Sequence, residues 1–390
     1  MRVYFAPCGI GLGHVGRNTP IAKKLQGKNV QVTFSTYTDG IGYIEQEQLP
    51  LLKAPPIGFQ VKPDGTIDFR LTTAKPGPLV SMYTFLKQVN FELSGMESFN
   101  PDIVVSDSRA SPLVAARLLQ LPRICILNQF QVIIPRKKRF LHLAKLADYG
   151  TLTLIGKVWT SQTVLIPDFP PPYTIGRGNL NIPKAYSKRV KLIGPILPVN
   201  PNNLPQKEEL RQRLKLSRDK PTIFVPISGP PLERAFLTET LKRILLDFPS
   251  EYEVIMSLGH PNTENKPLHH NNVTIYDWIP NRFEYLKVCD IVIARAGHGT
   301  LTQCMCYGKP VILIPTPSHT EQINNAKQAM NLGIAKVIQQ EKISKEKLVA
   351  TVKQIFEDGT IQASRKIQEE LLKHDGLENA VKLIEEAARK

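Results

Sequence analysis

Residues 290–315 read DIVIARAGHGTLTQCMCYGKPVILIP. Ile291–Ile293 is a short apolar run that ends at Ala294. Gly297-His298-Gly299-Thr300 then opens an amphipathic stretch over Thr300–Tyr307, and Val311–Ile314 is a second apolar run. Short β-branched runs without polar alternation predict parallel strands covered on both faces, and a helical pattern between them predicts a crossover. A glycine turn that ends a strand and starts a helix leaves backbone N–H groups at Gly299, Thr300 and Leu301 without intrahelical partners, at the positive end of the helix dipole. Such a turn is a ready site for a pyrophosphate. It is not a Walker loop, because the G-K-[ST] ending is absent.

The same alternation extends along the chain. Further strands are predicted over Val3–Ala6, Val30–Ser35, Ile103–Ser106, Ile124–Leu127, Thr163–Ile166, Thr222–Pro226, Glu253–Ser257 and Val273–Ile275. Helical patterns fall at Pro20–Leu25, Leu79–Met96, Ala110–Leu119, Leu232–Leu246, Glu321–Asn331 and Lys345–Phe356. The segment GPILPVNPNNLP, Gly194–Pro205, extends neither a helix nor a central strand. The fold class is therefore α/β: two doubly wound, Rossmann-like domains facing across a cleft, with ligands beyond the C-terminal strand edges. The domains are expected at 1–195 and 207–365, joined by a linker at 196–206. A charged helical tail over 366–390 is expected to cross back to the first domain.

The 390 residues include 42% apolar ones, which excludes global disorder. The formal charge is +16, and it is unevenly spread. Residues 1–200 hold 24 basic and 11 acidic side chains, the remainder 26 and 23. The first half should therefore favour an anionic partner. No apolar run is long enough to span a bilayer, and no signal-peptide pattern opens the chain. The five cysteines form no C-x-x-C, so reduced core thiols in a cytosolic protein are expected, with no metal site.

After the first strand comes Cys8-Gly9-Ile10-Gly11-Leu12-Gly13-His14-Val15-Gly16-Arg17. The spacing is not the dinucleotide G-x-G-x-x-G, and no carboxylate ends the second strand, so a nicotinamide cofactor is not expected. His14 remains, at the mouth of the sheet, able as a neutral imidazole to take a proton from a hydroxyl. Tyr276-Asp277-Trp278-Ile279-Pro280 and Pro315–Gln322 fall at other strand ends of the second half.

These features together, GxGHVGR, WIP, RAGHGT and PxxxxxEQxxNA, resemble glycosyltransferases of the GT-B fold. The resemblance is nearest to the MurG type, which transfers N-acetylglucosamine from a UDP-sugar to a lipid-linked acceptor, and to archaeal relatives. It implies an inverting transferase with a UDP-sugar as donor and no bound cofactor; metal independence is expected from the absence of an Asp-x-Asp pair. It assigns His14 as general base and Asp107 as the carboxylate that orients it; Asp107 reads equally as a helix N-cap. Gly11, Gly13 and Arg17 fall in the acceptor or phosphate loop. Trp278 and Ile279 fall where the uracil is stacked and read. Ser228, Gly229, Gly297, His298, Gly299, Thr300 and Leu301 fall around the diphosphate. Glu321 and Gln322 match the pair that holds donor-sugar hydroxyls. Gln303 stands where the family has a ribose-binding glutamate, and Arg295 where plant-type enzymes carry a phosphate-binding histidine.

Departure of UDP in metal-dependent transferases generally uses an Asp-x-Asp pair, and the sequence contains none. The basic cluster Arg136-Lys137-Lys138-Arg139, flanked by aliphatic residues, predicts contact with an anionic membrane surface from the cytoplasmic side. A polyprenyl-linked or lipid acceptor fits that charge. The stripe Met82, Phe85, Leu86, Val89 and Leu93 reads either as an acyl groove or as core. Two other readings stay open. A UDP-N-acetylglucosamine 2-epimerase shares the architecture, and the basic charge admits a nucleic-acid-binding protein. The low aromatic content of 7% disfavours a nucleic-acid partner.

Overall fold

A computed structural model describes residues 1–57, 78–129, 157–159, 162–180, 182, 184–260 and 266–389. The chain divides into two compact units. One holds the described residues up to Pro198 together with those from Asp375 onward; the other holds Val199–His374. The division thus falls inside the proline-rich segment. The C-terminal stretch is shared: Thr360–Leu371 is a helix of the second unit and Gly376–Ala388 a helix of the first.

The first unit contains β1 (Arg2–Pro7), β2 (Gln31–Thr36), β3 (Leu51–Lys53), β4 (Ile103–Asp107), β5 (Arg123–Ile126), β6 (Thr163–Ile166) and β7 (Val190–Leu192). They form one parallel sheet in the order β3-β2-β1-β4-β5-β6-β7. The second contains β8 (Thr222–Pro226), β9 (Glu253–Ser257), β10 (Leu268–His270), β11 (Val273–Tyr276), β12 (Ile291–Ala294), β13 (Val311–Leu313) and β14 (Ala335–Val337). Their order is β10-β11-β9-β8-β12-β13-β14, antiparallel only at β10–β11. Each sheet is doubly wound, the α/β class read from the sequence.

Alternation along a strand explains why both faces are apolar. Val3 and Phe5 point to one side of the first sheet, where Ile21 and Leu25 of the helix Gly13–Gln26 and Ala380, Val381 and Ile384 of Gly376–Ala388 complete the core. Tyr4 and Ala6 point to the other side, against Val89 and Met96 of the helix Pro78–Phe99. The apolar stripe on that helix therefore divides. Val89 and Met96 are core, Phe85 and Leu93 pack against it, and Met82 and Leu86 are exposed. In the second sheet Ile223, Val225, Val254, Ile291 and Ile312 meet Leu237 and Leu241 of the helix Pro231–Leu245.

The first helix starts at Gly13, well before the expected Pro20. Gly13, Gly16 and Pro20 all read as breakers, yet Pro20 sits within the helix, where it donates no backbone N–H. His14 and Arg17 consequently share one helical face, three residues apart.

Ile384 is fully buried among β1, β4 and the first helix. Ile384→Ala should cost the first unit about 2–5 kcal/mol, read as a lowered midpoint for that unit in chemical denaturation.

Candidate active site

In an open parallel sheet the crevice lies where the strand order reverses. In the first unit β1 has β2 on one side and β4 on the other, so the reversal falls between β1 and β4. Pro7 and Asp107 are register partners at the C-terminal ends of these strands. The chain leaves β1 through the glycine turn. A Cβ at Gly9 would stand 1.8 Å from the Tyr37 carbonyl oxygen, so only glycine lets the turn pass β2's exit. Gly11 donates its N–H to Asp39 Oδ2 at 2.9 Å, which occupies the amide expected to face a phosphate. At Gly13 an added Cβ would meet nothing within 4 Å, so the helix start itself is open.

His14 lies in the first turn of that helix. Its Nδ1 is 2.8 Å from Asp107 Oδ1. The carboxylate only accepts, so Nδ1 carries the proton and a neutral ring keeps its lone pair on Nε2. The His14 side chain is 23% exposed and that of Asp107 is 0% exposed, so the base reaches solvent while its anchor does not.

Asp107 is enclosed by donors. Arg17 Nε reaches Oδ2 at 2.6 Å and Arg17 Nη2 bonds Oδ1. Asn18 Nδ2 donates to Oδ2 at 2.7 Å, and Ser108 Oγ donates to Oδ1 at 3.2 Å. Burial by itself would push this carboxyl up. The Arg17 guanidinium, with His14 beside it, instead holds it well below the usual carboxylate range. Arg17, expected at the acceptor loop, is turned inward: its Nη1 also donates to Asn128 Oδ1 at 3.0 Å. Asn18 and Asn128 were not singled out from the sequence. Asn18 follows His14 by one helical turn, the signal that was available.

In the second unit the order reverses between β8 and β12. Ser228 and Gly229 follow β8. Gly229 has φ +120°, and Arg234 Nη1 donates to its carbonyl at 3.1 Å. The helix His298–Cys306 follows β12, with Gly297 as N-cap and no side chain capping it. A Cβ at Gly297 or Gly299 would meet nothing within 4 Å, so this helix start also faces open space. Gly299 is exposed and Thr300 half-buried, whereas the His298 side chain is buried. Leu301 departs from expectation. Its N–H donates to the Gly297 carbonyl at 3.1 Å, because the helix begins two residues earlier than predicted. Gln303 lies half-buried a turn further on. Trp278 is half-buried past β11, and the Ile279 side chain is buried, leaving its backbone to make contacts.

Two further residues depart from their expected roles. The Gln322 amide is enclosed by the protein: Oε1 accepts from Thr316 N–H at 2.9 Å and Nε2 donates to Glu233 Oε1 at 2.9 Å. Thr316 Oγ1 donates to the same Glu233 oxygen at 2.6 Å. Arg295 is buried and donates to the Ile314 and Glu233 carbonyl oxygens at 3.1 and 3.3 Å, so it braces the turn from within. Burial lowers its pKa to about 10, which leaves it charged at neutral pH. Asn325 Nδ2 donates to the Ala296 carbonyl at 3.1 Å, a second brace. Glu233, Thr316 and Asn325 were missed because their partners lie far off in sequence. Glu321, beside Gln322, is half-buried.

Among the described residues no three His, Cys, Asp or Glu side chains cluster as a metal centre requires, and no helix is long and apolar enough to cross a membrane. The basic cluster Arg136–Arg139 lies outside the described residues.

Because the folded Asp107 carboxyl titrates below its unfolded value, its stabilisation is full above the unfolded pKa and fades as pH falls through the folded one. Asp107→Asn should cost the first unit about 3 kcal/mol at pH 7. The gap to wild type should narrow below about pH 4, measured by denaturation across pH.

Residues 233–384 match the glycosyltransferase family 28 C-terminal domain. The chain is 26% identical to an uncharacterised glycosyltransferase of Methanosarcina mazei over 401 residues, covering 100% of this chain and 99% of that one. A UDP-N-acetylglucosamine--N-acetylmuramyl-(pentapeptide) pyrophosphoryl-undecaprenol N-acetylglucosamine transferase of Desulforamulus reducens is 27% identical over 205 residues, 48% of this chain and 55% of that protein. Among solved structures, the spinosyn rhamnosyltransferase SpnG superposes with a TM-score of 0.67 at 16% identity, covering 99% of this chain and 100% of that one. MurG of Acinetobacter baumannii gives 0.58 at 18% identity, with 99% of each chain covered. By these comparisons the chain has the two-domain GT-B fold, and its residues 233–384 are similar to the glycosyltransferase family 28 C-terminal domain.

Proposed function

We propose that the chain transfers a hexose, with N-acetylglucosamine the first candidate, from a UDP-sugar to a hydroxyl of a lipid-linked or lipid acceptor, with inversion. The observation that carries this reading is the His14–Asp107 pair at the reversal point of the first sheet. His14 Nε2 takes the proton from the acceptor hydroxyl. The hydroxyl oxygen bonds the anomeric carbon as the bond from that carbon to the phosphate oxygen breaks, and UDP leaves with the electron pair. Asp107 holds the ring and offsets the imidazolium charge that forms.

The second unit supplies the donor site in this reading. Amides at Gly299 and Thr300, at an uncapped helix start, face the departing diphosphate with fixed dipoles. Ser228 and Gly229 line the adjacent turn. Trp278 stacks on the base, Ile279 reads it through backbone, Gln303 meets the ribose and Glu321 the sugar. Arg295 and Gln322 hold this site's shape from inside. The reaction is proposed to run without a metal, since the sequence has no Asp-x-Asp pair. The acceptor class rests on the excess of basic residues in the first half and on the lipid-linked substrate named for the Desulforamulus reducens relative. The same charge supports a peripheral place on the cytoplasmic membrane face.

A thermal-shift series with UDP-N-acetylglucosamine, UDP-glucose and UDP-galactose tests the donor site. Stabilisation by a UDP-sugar should vanish in Gly299→Asp, which sets a carboxylate at the helix start. Transfer of labelled sugar to an extracted lipid fraction should survive EDTA and fall about 10²–10⁴-fold in His14→Ala. Full activity in His14→Ala would remove the proposed base.

A further inference from the structure

We propose that Arg17 is a positioning residue that works through Asp107: its guanidinium pairs the carboxylate's charge and fixes its orientation, so that the carboxylate aligns the His14 ring without drawing a second proton onto it. The inference rests on the transferase reading for its kinetic consequence and on geometry alone for its structural one.

The geometry is specific. Arg17 grips both oxygens of Asp107, Nε on Oδ2 at 2.6 Å and Nη2 on Oδ1. Nη1 is tied to Asn128 Oδ1 at 3.0 Å, beyond the end of β5. Three donors in a planar fork therefore lock the guanidinium, a match that Lys cannot reproduce. Nη2 also stands 3.1 Å from His14 Nδ1. With the ring proton on Nδ1 both nitrogens are donors, so that contact is no hydrogen bond; the two N–H groups converge instead on the shared acceptor, Asp107 Oδ1.

A fully buried carboxylate with an imidazole as its only charged neighbour would keep its charge balanced by protonating that imidazole, or would take the proton itself. Either outcome disables the base. A protonated ring has no lone pair on Nε2. A protonated carboxyl would donate to Nδ1 and move the ring proton to Nε2. Arg17 supplies the balancing charge in advance, so the pair binds one proton fewer. The other titratable groups around the carboxylate are Cys8 in the turn and Cys125 on β5, with Arg109 beyond them. Burial pushes both thiols up, so neither competes near neutral pH. Arg109 is committed to Glu92 and to the Ser35 carbonyl.

The test uses the full chain labelled with ¹⁵N-histidine, as wild type, Arg17→Lys and Arg17→Ala, with the His14 ring assigned from His14→Gln. In Arg17→Ala the His14–Asp107 pair should take up a proton about one pH unit higher than in wild type, a tenfold change in proton affinity. Arg17→Lys should recover most of that shift, because it keeps the charge. Where transfer is measured, Arg17→Ala should lower kcat with KM for the UDP-sugar unchanged, and its acidic limb should move up by the same unit. Arg17→Lys should lower kcat with the limb near wild type, and methylguanidine should partly restore Arg17→Ala.

An unchanged ring titration in Arg17→Ala would overturn the proposal, as would a raised acceptor KM with kcat and limb intact, which would make Arg17 an acceptor contact. If Arg17→Ala does not fold, Arg17→Lys decides: wild-type kcat and wild-type ring shifts would overturn it. Should His14→Ala prove active, the transferase reading fails, while the ring titration still decides the role of Arg17.

Discussion

A carboxylate with no access to water sets the terms for the first unit. Asp107 is fully buried at the end of β4 and carries a charge that burial alone would neutralise. A lone carboxylate there would be a liability, and the surrounding residues are arranged accordingly. Arg17 and Asn18 project from one turn of helix, Ser108 follows in a left-handed conformation at φ +58°, and the Cys8 N–H takes the Asp107 backbone carbonyl at 2.9 Å. The glycine turn, the start of the first helix and the exit of β4 therefore hold one another. His14 is positioned by its contact with that ion cluster, while its own side chain stays 23% exposed.

The second unit has a buried carboxylate too, Glu233, but it lies beneath the turn rather than at its centre. The helix start at Gly297–Thr300 has no side-chain cap and faces open space. Arg295 and Asn325 brace it from beneath by binding main-chain carbonyls, and Gln322, Thr316 and Glu233 tie the neighbouring turn into the same support. Both units thus place a glycine turn and a helix start at the point where strand order reverses. One fixes side chains around a charge, and the other fixes backbone around an opening.

Much of this was legible because parallel strands are written as continuous apolar runs. Thr163–Ile166, Thr222–Pro226 and Glu253–Ser257 were located to the residue. The strands that were missed, β3, β7, β10 and β14, are the four sheet edges, three residues each, too short to show a period. The glycine turns, His14 and Asp107 could be read from strand–turn–helix punctuation. The inward direction of Arg17 could not, because its partner is 90 residues away. Leu301 was misassigned through a two-residue error in the helix start. The inward direction of Gln322 was equally hidden, because Glu233, which accepts from its amide, is 89 residues away.

Residues Gly376–Ala388 supply part of the core that β1 and β4 begin, with Ala380, Val381 and Ile384 against Val3 and Ile103. On the ribosome the first unit is therefore left with an apolar face only partly covered, by the helix Gly13–Gln26, until Gly376–Ala388 has emerged, long after its strands. Val199–His374 contains its whole sheet and can consolidate sooner. Vectorial synthesis and structural completion run in opposite order in this chain. The interval between them is when the first sheet is most exposed to misassembly and most dependent on chaperones.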